Sequence, residues 1–531
     1  MELDAKVKER LRSSKGYDLI MSAEEAAAMV KDGMVLGVSG FTASGYPKAV
    51  PHALAERGKR GEKFKVDVYS GASLGPEIDT EMTEAGILGY RMPYMTDNVF
   101  RKAVNSGKCD YVDMHLSQSA QYVNYGILPK IDIAIVEALA INEDGSIVPT
   151  TSVGNTPSFI RQADKVIVEL NTLQPMGLEG MHDCIILDNP PHRKPIDIES
   201  PSDRIGKPYM ECGWDKICAI VITDIQDGLR PLGAISEDSQ KIADNIIDFL
   251  NGEVKAGRLT DTLLPIQSGV GSVANAVLYG LKDSEFHDLT CFTEVVQDSM
   301  LELIKAGKVT CASTTAITPS PEMKERFDKE CDLYKGKLIF RPEDISNNPE
   351  VIRRLGVIAM NTALECDIYG NVNSTHVNGS GMMNGIGGSG DFSRNGGITI
   401  FSTVSTAKNG KLSSIVPFCS HIDHTEHDVQ VIVTEQGYAD LRGLTPKQRA
   451  VKIIENCAHP DYKDMLMDYF RRACEQSKLQ TPHILEEAFS WHVRAIKTGT
   501  MKPAPEKTAD AACSDAAEKK LLRLKQMRRS R

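Results

Sequence analysis

The chain has 531 residues, of which 41% are hydrophobic and 25% charged, a composition typical of a globular protein with two or more domains. A formal net charge of −11 and a pI near 5.7 argue against a dedicated nucleic-acid-binding protein, which normally has a basic face. The amino-terminal residues mix acids and bases, and no run of eighteen apolar residues occurs. We therefore expect no signal or transit peptide, no membrane span and a cytoplasmic location.

Short β-branched runs alternate with longer helical patterns, which is typical of α/β layers built around largely parallel sheets. The predicted fold class is therefore α/β. The loop-rich, proline-bearing segment 188–209 is expected to connect two halves of the chain. Strands are predicted at residues 35–38, 64–69, 131–136, 165–169, 217–222, 289–293, 309–312, 337–340, 398–401 and 429–433.

Two distant segments repeat one pattern. Residues 33–54 run from a strand through a glycine-rich turn into a helix, and residues 263–278 do the same. This repetition predicts two similar α/β domains in one chain. The predicted division is residues 1–225, residues 226–501 and a disordered or solvated tail over residues 502–531.

The twelve cysteines contain no C-x-x-C pair and lie mostly in apolar runs. This distribution predicts buried, reduced thiols. Cys212 and Cys218 are the closest pair in sequence, but proximity alone indicates neither a disulfide nor a metal site, and we expect neither.

A glycine motif follows an apolar run and precedes a helical pattern. Gly269-x-Gly271-x-x-Ala274 has the spacing of a dinucleotide-binding turn, and Glu294 follows about 20 residues later, where such proteins bind a ribose hydroxyl. The spacing alone therefore allows an NAD-dependent oxidoreductase. The alternatives are a tight turn without a ligand and, for Glu294, an acidic residue in the first turn of a helix predicted at 294–306.

Residues 378–390 form a second glycine-rich segment. So many glycines cost conformational entropy on folding unless the backbone must approach something closely. Backbone N–H groups free of side chains can form an oxyanion hole or hold phosphate oxygens. A flexible surface loop is the alternative, and the interleaved Met382, Met383 and Ile386 argue mildly against it.

Three histidines, His421, His424 and His427, lie among acidic residues and raise the hypothesis of a metal-dependent thioesterase. Their spacing is neither H-x-H-x-D-H nor H-E-x-x-H on a helix. We favour a polar turn before the strand predicted at 429–433 and predict no metal ligands.

Four segments in this order resemble those of one family: 267–276 (QSGVGSVANA), 293–298 (TEVVQD), 385–392 (GIGGSGDF) and 433–437 (VTEQG). From about residue 20 to 500 the chain resembles the acetyl-CoA hydrolase/transferase family. These are class I coenzyme A transferases, and the resemblance is closest to the succinyl-CoA:acetate CoA-transferases. It implies two similar α/β domains with the active site between them.

The resemblance also implies a set of site residues. Glu294 would be the glutamyl nucleophile, and the Gly388 N–H would serve the oxyanion hole. Dicarboxylate-using relatives place an arginine soon after the strand equivalent to 219–221, whereas here the first arginine is Arg230. Positions that shape the acyl and carboxylate pocket match Ser73, Asn347 and Glu435. Coenzyme A would contact Gly269, Val270, Gly271, Ser272, Val273, Asn384, Gly388 and Lys408.

The implied activity is ping-pong exchange of coenzyme A between a short-chain acyl-CoA (acetyl-CoA, succinyl-CoA or propionyl-CoA) and acetate or a related acid, through a glutamyl-CoA thioester. An ordinary glutamate, with a pKa of about 4.3, is ionised at neutral pH and needs no base. A poorly sealed site would make the same residues an acetyl-CoA hydrolase, the close alternative. We expect coenzyme A as a substrate, no permanently bound cofactor, and a homodimer.

Overall fold

The computed structural model describes residues 4–269 and 271–504, so Val270 and most of the predicted tail lie outside the described residues. The first half of the chain contains the strands β1 (Val35–Val38), β2 (Val66–Tyr69), β3 (Leu88–Met92), β4 (Asp110–Tyr111), β5 (Ile133–Ala138), β6 (Ala140–Ile141), β7 (Ile147–Val148), β8 (Lys165–Asn171) and β9 (Ile217–Thr223).

The second half contains more and shorter strands. They are β10 (Ile266–Ser268), β11 (Leu289–Phe292), β12 (Val295–Val296), β13 (Val309–Thr314), β14 (Ala316–Ile317), β15 (Leu338–Phe340), β16 (Ile358–Thr362), β17 (Glu365–Asp367), β18 (Val372–Asn373), β19 (His376–Val377), β20 (Gly381–Met382), β21 (Ile398–Ser402), β22 (Thr406–Ala407), β23 (Leu412–Ser413), β24 (Ile415–Val416), β25 (Val431–Thr434) and β26 (Gly437–Asp440).

Helices connect and cover these strands. In chain order they are α1 (Ala5–Arg10), α2 (Ala23–Ala27), α3 (Ala49–Lys59), α4 (Met82–Glu84), α5 (Asn98–Asn105), α6 (Leu116–Asn124), α7 (Thr156–Gln162), α8 (Glu237–Lys255), α9 (Ser272–Asp283), α10 (Asp298–Lys305), α11 (Pro321–Lys329), α12 (Cys331–Tyr334), α13 (Glu343–Ser346), α14 (Pro349–Leu355), α15 (Ser389–Asn395), α16 (Pro446–Cys457), α17 (Pro460–Gln476) and α18 (Ser490–Thr498).

The two large sheets have the same strand order. The first runs β4-β3-β2-β1-β5-β8-β9, and the second runs β15-β13-β11-β10-β16-β21-β25-β26. In each sheet the first strand is central, the next three lie on one side and the later ones on the other. All pairs are parallel except β25 with β26. The repetition predicted from residues 33–54 and 263–278 is therefore confirmed.

Helices cover both faces of these sheets, so the strands are almost continuously apolar. Every residue of β1, β5 and β25 is buried. Helix ends follow local signals: Thr445 caps α16 and exchanges hydrogen bonds with Gln448, and Pro446 occupies the first turn. Within the described residues no helix combines the length and apolarity that crossing a membrane requires, and all described cysteines are free thiols, most of them buried.

A buried ion cluster fixes the joining segment, residues 224–236, which leads from β9 in the first half of the chain to α8 in the second. Lys48 Nζ lies 2.5 Å from a carboxylate oxygen of Glu137 and 2.9 Å from one of Asp227, and all three side chains are at most 1% exposed. Asp227 belongs to the joining segment and also accepts hydrogen bonds from Gly45 N–H and the Thr151 hydroxyl. The joining segment is therefore tied to the end of β5 and to the turn after β1.

All ten predicted strands are present, with ends that differ from the prediction by at most two residues. Segment 188–209 contains no helix or strand, but the expectation that it connects the two halves was wrong, because it lies between β8 and β9, which pair in the first sheet. The helix predicted at 294–306 was wrong at its start, because the two-residue strand β12 intervenes and α10 begins at Asp298. Strands β3 and β16 were not predicted, since Arg91 and Asn361 interrupt their apolar pattern. The division at residue 225 stays a prediction.

Candidate active site

The carboxyl ends of three neighbouring parallel strands of the second sheet meet at one cavity. Strand β10 ends at Ser268, β16 ends at Thr362, and Glu294 lies two residues beyond the end of β11. The strand order reverses at β10, which lies between β11 and β16. In open α/β sheets, ligands typically bind at such a reversal, outside the carboxyl ends of the strands.

Both halves of the chain contribute to this cavity, whose volume is about 130 Å³. The first half supplies mostly apolar side chains, and the second half supplies polar side chains and glycine backbone. The lining residues are Phe41, Thr42, Tyr94 and Leu116 from the first half and Ser268, Gly269, Glu294, Val295, Asn361, Thr362, Ser374, Asn384, Gly385, Ile386, Gly387, Gly388 and Ser389 from the second. The structure thus places Glu294 and both glycine-rich segments around one space.

The backbone of Glu294 is held by the end of β13. The Glu294 carbonyl accepts hydrogen bonds from Thr315 N–H at 3.0 Å, Ala316 N–H at 3.2 Å and the Thr314 hydroxyl at 2.7 Å. These bonds fix the bend between β11 and β12 on which Glu294 lies. The side chain is therefore directed by sheet pairing and not by the first turn of a helix.

The Glu294 carboxylate has one direct side-chain partner. Asn347 Nδ2 donates to Glu294 Oε1 at 2.7 Å. The Ser346 hydroxyl donates to Asn347 Oδ1 at 2.9 Å, which fixes the Asn347 amide with its N–H groups toward the glutamate. Asn347 is fully buried. The structure thus brings Asn347, which the resemblance assigned to the pocket, to the Glu294 carboxylate as a hydrogen-bond donor.

The pKa of Glu294 departs from the ordinary value expected from sequence. Burial raises the pKa of Glu294 to about 7, and the neighbouring Asp391 carboxylate raises it as well, whereas the hydrogen bond from Asn347 lowers it. The expectation of an ordinary pKa near 4.3 was therefore wrong, because the residues packed around the half-buried side chain remove much of its contact with water. Glu294 is fully ionised only above neutral pH.

Gly388 lies against the carboxylate of Glu294. A Cβ atom at Gly388 would be 1.7 Å from Glu294 Oε1 and 2.3 Å from Asn347 Nδ2, so no side chain fits there. The rest of the loop is also tightly held: Asp113 accepts two hydrogen bonds from Ile386 N–H, at 2.9 and 2.8 Å. The segment is therefore packed against the rest of the protein, and its glycines allow the backbone to touch the Glu294 carboxylate.

The first glycine motif borders the same space. Gly269 lines the cavity. Gly271, at φ +121°, donates its N–H to Gln297 Oε1 at 3.2 Å, and Ser272 begins α9. Val273 lines a small cavity of about 20 Å³ that adjoins the first. The structure thus brings Gly269 and Val273 to the site, while Val270 lies outside the described residues.

The other two residues assigned to coenzyme A differ in position. Asn384 lines the cavity and donates through Nδ2 to Ser374 C=O at 3.0 Å. Lys408 lies on the exposed turn between β22 and β23, at φ +51°. It is not among the residues that line the cavity. Lys408 and Glu294 would share a binding site only if one coenzyme A molecule contacted both. The role of Lys408 therefore stays a prediction.

Two pocket residues assigned by resemblance do not line the cavity in the described part of the chain. The Ser73 hydroxyl donates to Asp79 at 2.9 Å and accepts from Thr96 N–H at 3.2 Å. Glu435, in the turn between β25 and β26, accepts hydrogen bonds from the Ser405 N–H and hydroxyl. Both side chains are engaged with local partners, and their roles in the pocket stay predictions.

Several residues near Glu294 were not found from sequence. Asp391 lies on α15, receives hydrogen bonds from Ser117 N–H at 3.0 Å and Ser117 Oγ at 2.5 Å, and has a pKa that burial raises to about 6. Glu343 is fully buried, and burial together with the nearby Glu294 raises its pKa well above the ordinary value. Asp391 lies in segment 385–392, one of the four that carry the family resemblance, so the sequence could have pointed to it. Ser117 and Glu343 lie in stretches without such a motif.

The histidine segment contacts the glycine loop through His424. His424 is buried, its ring packs on Phe401 at 4.7 Å, and its Nε2 lies 3.1 Å from the Ser389 hydroxyl. Burial lowers the pKa of His424 to about 4, so the ring is neutral. In the described part of the chain, no three His, Cys, Asp or Glu side chains are grouped to hold a metal ion. The predicted turn before β25 is present.

Two sheets that share one order over seven strands, with a half-buried glutamate against a glycine backbone, are what the resemblance implied for a CoA-transferase-type α/β enzyme. Comparison with known families agrees. Residues 5–242 match the family model described as the acetyl-CoA hydrolase/transferase N-terminal domain, and residues 325–470 match the C-terminal domain. The chain belongs to the acetyl-CoA hydrolase/transferase family and is an enzyme of that family.

Curated relatives match nearly the whole chain. The succinyl-CoA:acetate CoA-transferase of Clostridium kluyveri is 59% identical over 494 residues, which cover 93% of this chain and 92% of the relative. The propanoyl-CoA:succinate CoA transferase of Escherichia coli is 42% identical, with 91% and 98% covered. The acetyl-CoA hydrolase of Saccharomyces cerevisiae is also 42% identical, with 94% and 98% covered.

Solved structures agree in fold. RipA from Yersinia pestis superposes with a TM-score of 0.68 at 24% identity, covering 87% of this chain and 99% of RipA. The 4-hydroxybutyrate CoA-transferase from Porphyromonas gingivalis superposes with a TM-score of 0.60 at 22% identity, covering 86% and 98%. At these identities the likeness shows the fold alone.

Proposed function

We propose that this enzyme transfers coenzyme A between a short-chain acyl-CoA and a carboxylate, with Glu294 as the covalent nucleophile. The observation that carries the proposal is the half-buried Glu294 carboxylate, which accepts a hydrogen bond from Asn347 and lies against the Gly388 backbone. Relatives named as CoA-transferases, at 59% and 42% identity, support this substrate class. Family membership also favours coenzyme A over NAD at the Gly269 turn.

In the first step, Glu294 attacks the thioester carbonyl carbon. Because Oε1 accepts the bond from Asn347, Oε2 is the oxygen available for attack. A C–O bond forms, the carbonyl electron pair moves to oxygen, and collapse of the tetrahedral intermediate breaks the C–S bond. The products are coenzyme A thiolate and an acyl-glutamyl anhydride. We assign Gly388 N–H to the oxyanion, since one such donor typically contributes about 3 kcal/mol to transition-state stability.

In the second step, the thiolate attacks the glutamyl carbonyl of the anhydride and displaces the first carboxylate. This leaves a glutamyl-CoA thioester on the enzyme. An incoming carboxylate then attacks that thioester, and the same two steps run in reverse to give the new acyl-CoA and free Glu294. One carboxylate enters and one leaves, so the full cycle consumes no proton and needs no general base.

The raised pKa of Glu294 has two opposed effects on this chemistry. A carboxylate that is poorly stabilised by its surroundings is a stronger nucleophile, but a larger fraction of it is protonated below pH 7. Burial also restricts the access of water to the anhydride and the thioester. Together these effects favour transfer to a bound carboxylate at neutral to mildly alkaline pH.

Acetyl-CoA hydrolysis is the second candidate, because relatives named acetyl-CoA hydrolase match 94% of this chain at 42 to 44% identity. In that case water, and not a carboxylate, attacks one of the covalent intermediates. Incubation with acetyl-CoA and labelled propionate separates the two activities: labelled propionyl-CoA reports transfer, and free coenzyme A reports hydrolysis.

The covalent intermediate is tested by intact mass of the purified protein after mixing with acetyl-CoA without an acceptor acid. We expect a mass increase equal to coenzyme A less one water. Borohydride reduction followed by peptide mapping should place the modification on Glu294. An enzyme that turns over acetyl-CoA but never gains mass and shows no reduced residue would contradict the glutamyl mechanism.

A cytoplasmic location and a homodimer complete the proposal, both from the sequence and from general expectation for enzymes of this size. Light scattering on the full chain measures the oligomer directly. A mass of twice 58.2 kDa is expected.

A further inference from the structure

Two buried polar atoms in the active-site cavity have no hydrogen-bond partner among the described residues. They are the Ser268 hydroxyl oxygen and the Asn361 side-chain nitrogen Nδ2. Ser268 is 4% exposed and Asn361 is 7% exposed. Folded proteins rarely leave buried polar side-chain atoms unpaired, so two of them at one cavity indicate groups that pair with a ligand.

The orientation of the Asn361 amide follows from its neighbours. Met360 N–H donates to Gln267 Oε1 at 2.8 Å, which makes Gln267 Nε2 the free donor of that side chain. Gln267 Nε2 in turn lies 3.4 Å from Asn361 Oδ1. The acceptor of Asn361 is therefore engaged, and its donor, Nδ2, is the atom left for the cavity.

Ser268 is held in a fixed relation to the nucleophile. It is the last residue of β10, and its carbonyl accepts a hydrogen bond from the Thr293 hydroxyl at 3.0 Å. Thr293 immediately precedes Glu294 in the chain. The Ser268 hydroxyl, which can donate or accept, is thus positioned by the same strand ends that position Glu294.

The cavity is lined by chemically different groups. Phe41 and Leu116 contribute apolar side chains, while Ser268 and Asn361 contribute polar ones. Ser268 also lines the adjoining small cavity, where Val273, Val277 and Met360 supply apolar surface. A thioester bound at Glu294 likewise has two different substituents, a short acyl group on one side and, on the other, a long arm with secondary amides and a dimethyl-substituted carbon.

We propose that Ser268 and Asn361 bind the amide of the pantetheine arm that is nearest the sulphur of coenzyme A. Asn361 Nδ2 donates to the amide oxygen, and the Ser268 hydroxyl accepts from the amide N–H. The proposal rests on the function proposed above. A secondary amide offers one acceptor and one donor and is neutral, which matches this neutral pair. A carboxylate would bring a second negative charge toward Glu294 with no cation among the described lining residues.

The test compares acetyl-CoA with an analogue in which this amide is replaced by an ester, so that the N–H is lost and the carbonyl remains. With the wild-type enzyme, the analogue should have a kcat/KM about tenfold lower, the effect of one hydrogen bond. In Ser268→Ala the difference between the two substrates should shrink to less than about twofold, since no acceptor remains for the N–H.

Asn361→Leu tests the other half of the pair. This nearly isosteric change should lower kcat/KM about tenfold for acetyl-CoA and for the ester analogue alike, because both retain the carbonyl. The KM for propionate should stay at the wild-type value. Ser284→Ala, which removes a hydroxyl just after α9, serves as a matched control and should behave as wild type. Thermal unfolding of each variant separates a site effect from a folding defect.

Release of acetate is the readout, because transfer to propionate and hydrolysis both produce it. A full tenfold penalty for the ester analogue in Ser268→Ala overturns the proposal. A raised KM for propionate in either variant assigns the pair to the carboxylate and also overturns it. Failure to form propionyl-CoA contradicts the proposed transfer alone, since acetate release still reports on the amide.

Discussion

A Cβ atom at Gly388 would lie 1.7 Å from Glu294 Oε1. Real Cβ atoms essentially never approach a heavy atom within 3.0 Å, so this contact exists only because residue 388 is glycine. The contact joins a loop after β20 to the bend after β11, two segments that are far apart in sequence. Packing of loops at one edge of the sheet therefore places Glu294, the proposed nucleophile, beside Gly388, whose N–H we assign to the oxyanion.

Glu294→Ala should abolish coenzyme A transfer, with a loss of at least about 10⁴-fold in kcat, because no other group replaces a covalent nucleophile. The melting temperature should change little, since the removed carboxylate is a poorly stabilised buried group. The measurement is propionyl-CoA formation from acetyl-CoA by enzyme free of host activity. Turnover near the wild-type rate would rule out the glutamyl mechanism.

Gly388→Ala should lower kcat/KM by about 10²-fold or more, because the added methyl group overlaps Glu294 and displaces the assigned N–H donor. Gly252→Ala is the matched control: it adds the same methyl group within α8, where no heavy atom lies within 4 Å of the new Cβ. The control should keep full activity and gain about 0.5–1 kcal/mol of helix stability. Equal activity of the two variants would refute the oxyanion assignment.

Wild-type kcat/KM should rise with pH through about 7 as Glu294 loses its proton. In Asn347→Ala the rise should move to higher pH, because the lost hydrogen bond favoured the ionised carboxylate. The activity deficit of the variant should therefore be larger at pH 6 than at pH 9. Asn348→Ala is a control, since it removes the cap of α14 and lowers stability without touching Glu294. An unmoved profile in Asn347→Ala would argue against this assignment.

Asp391→Asn should shift the same profile in the opposite direction. The Asp391 carboxylate raises the pKa of Glu294, and its own pKa of about 6 leaves it mostly charged where Glu294 titrates. Replacing it with a neutral amide should let Glu294 ionise at lower pH. The pH dependence of kcat/KM for acetyl-CoA measures the shift, and movement of both variants in one direction would contradict the electrostatic account.

Lys48→Met should lower the free energy of unfolding by about 3–5 kcal/mol, because it leaves the buried carboxylates of Glu137 and Asp227 without their cation. Urea unfolding followed by circular dichroism measures the loss. Lys59→Met, which breaks an exposed ion pair with Glu56, should leave the unfolding midpoint unchanged. A small effect at Lys48 would mean that water reaches the cluster.

Much of the site could be predicted from sequence because its signals are local. The strand ends, the glycine spacing at Gly269 and Gly271, and the glutamate after β11 each depend on residues a few positions apart. The family resemblance added Asn347 and Gly388, and the structure brings both to Glu294. Strand β16 was missed because Asn361 interrupts its apolar run, although that interruption is what places an amide in the cavity.

What the sequence by itself determined is the α/β class and the repeated strand-turn-helix unit, since side-chain periodicity and glycine spacing are properties of the chain. The family resemblance added Glu294 as the proposed nucleophile. Only the tertiary structure decided the raised pKa of Glu294, its contact with Gly388 and the unpaired donor of Asn361. The physical reason is that desolvation, charge proximity and hydrogen-bond satisfaction depend on which distant segments exclude water from one another. The distances between those segments are set only when the chain folds.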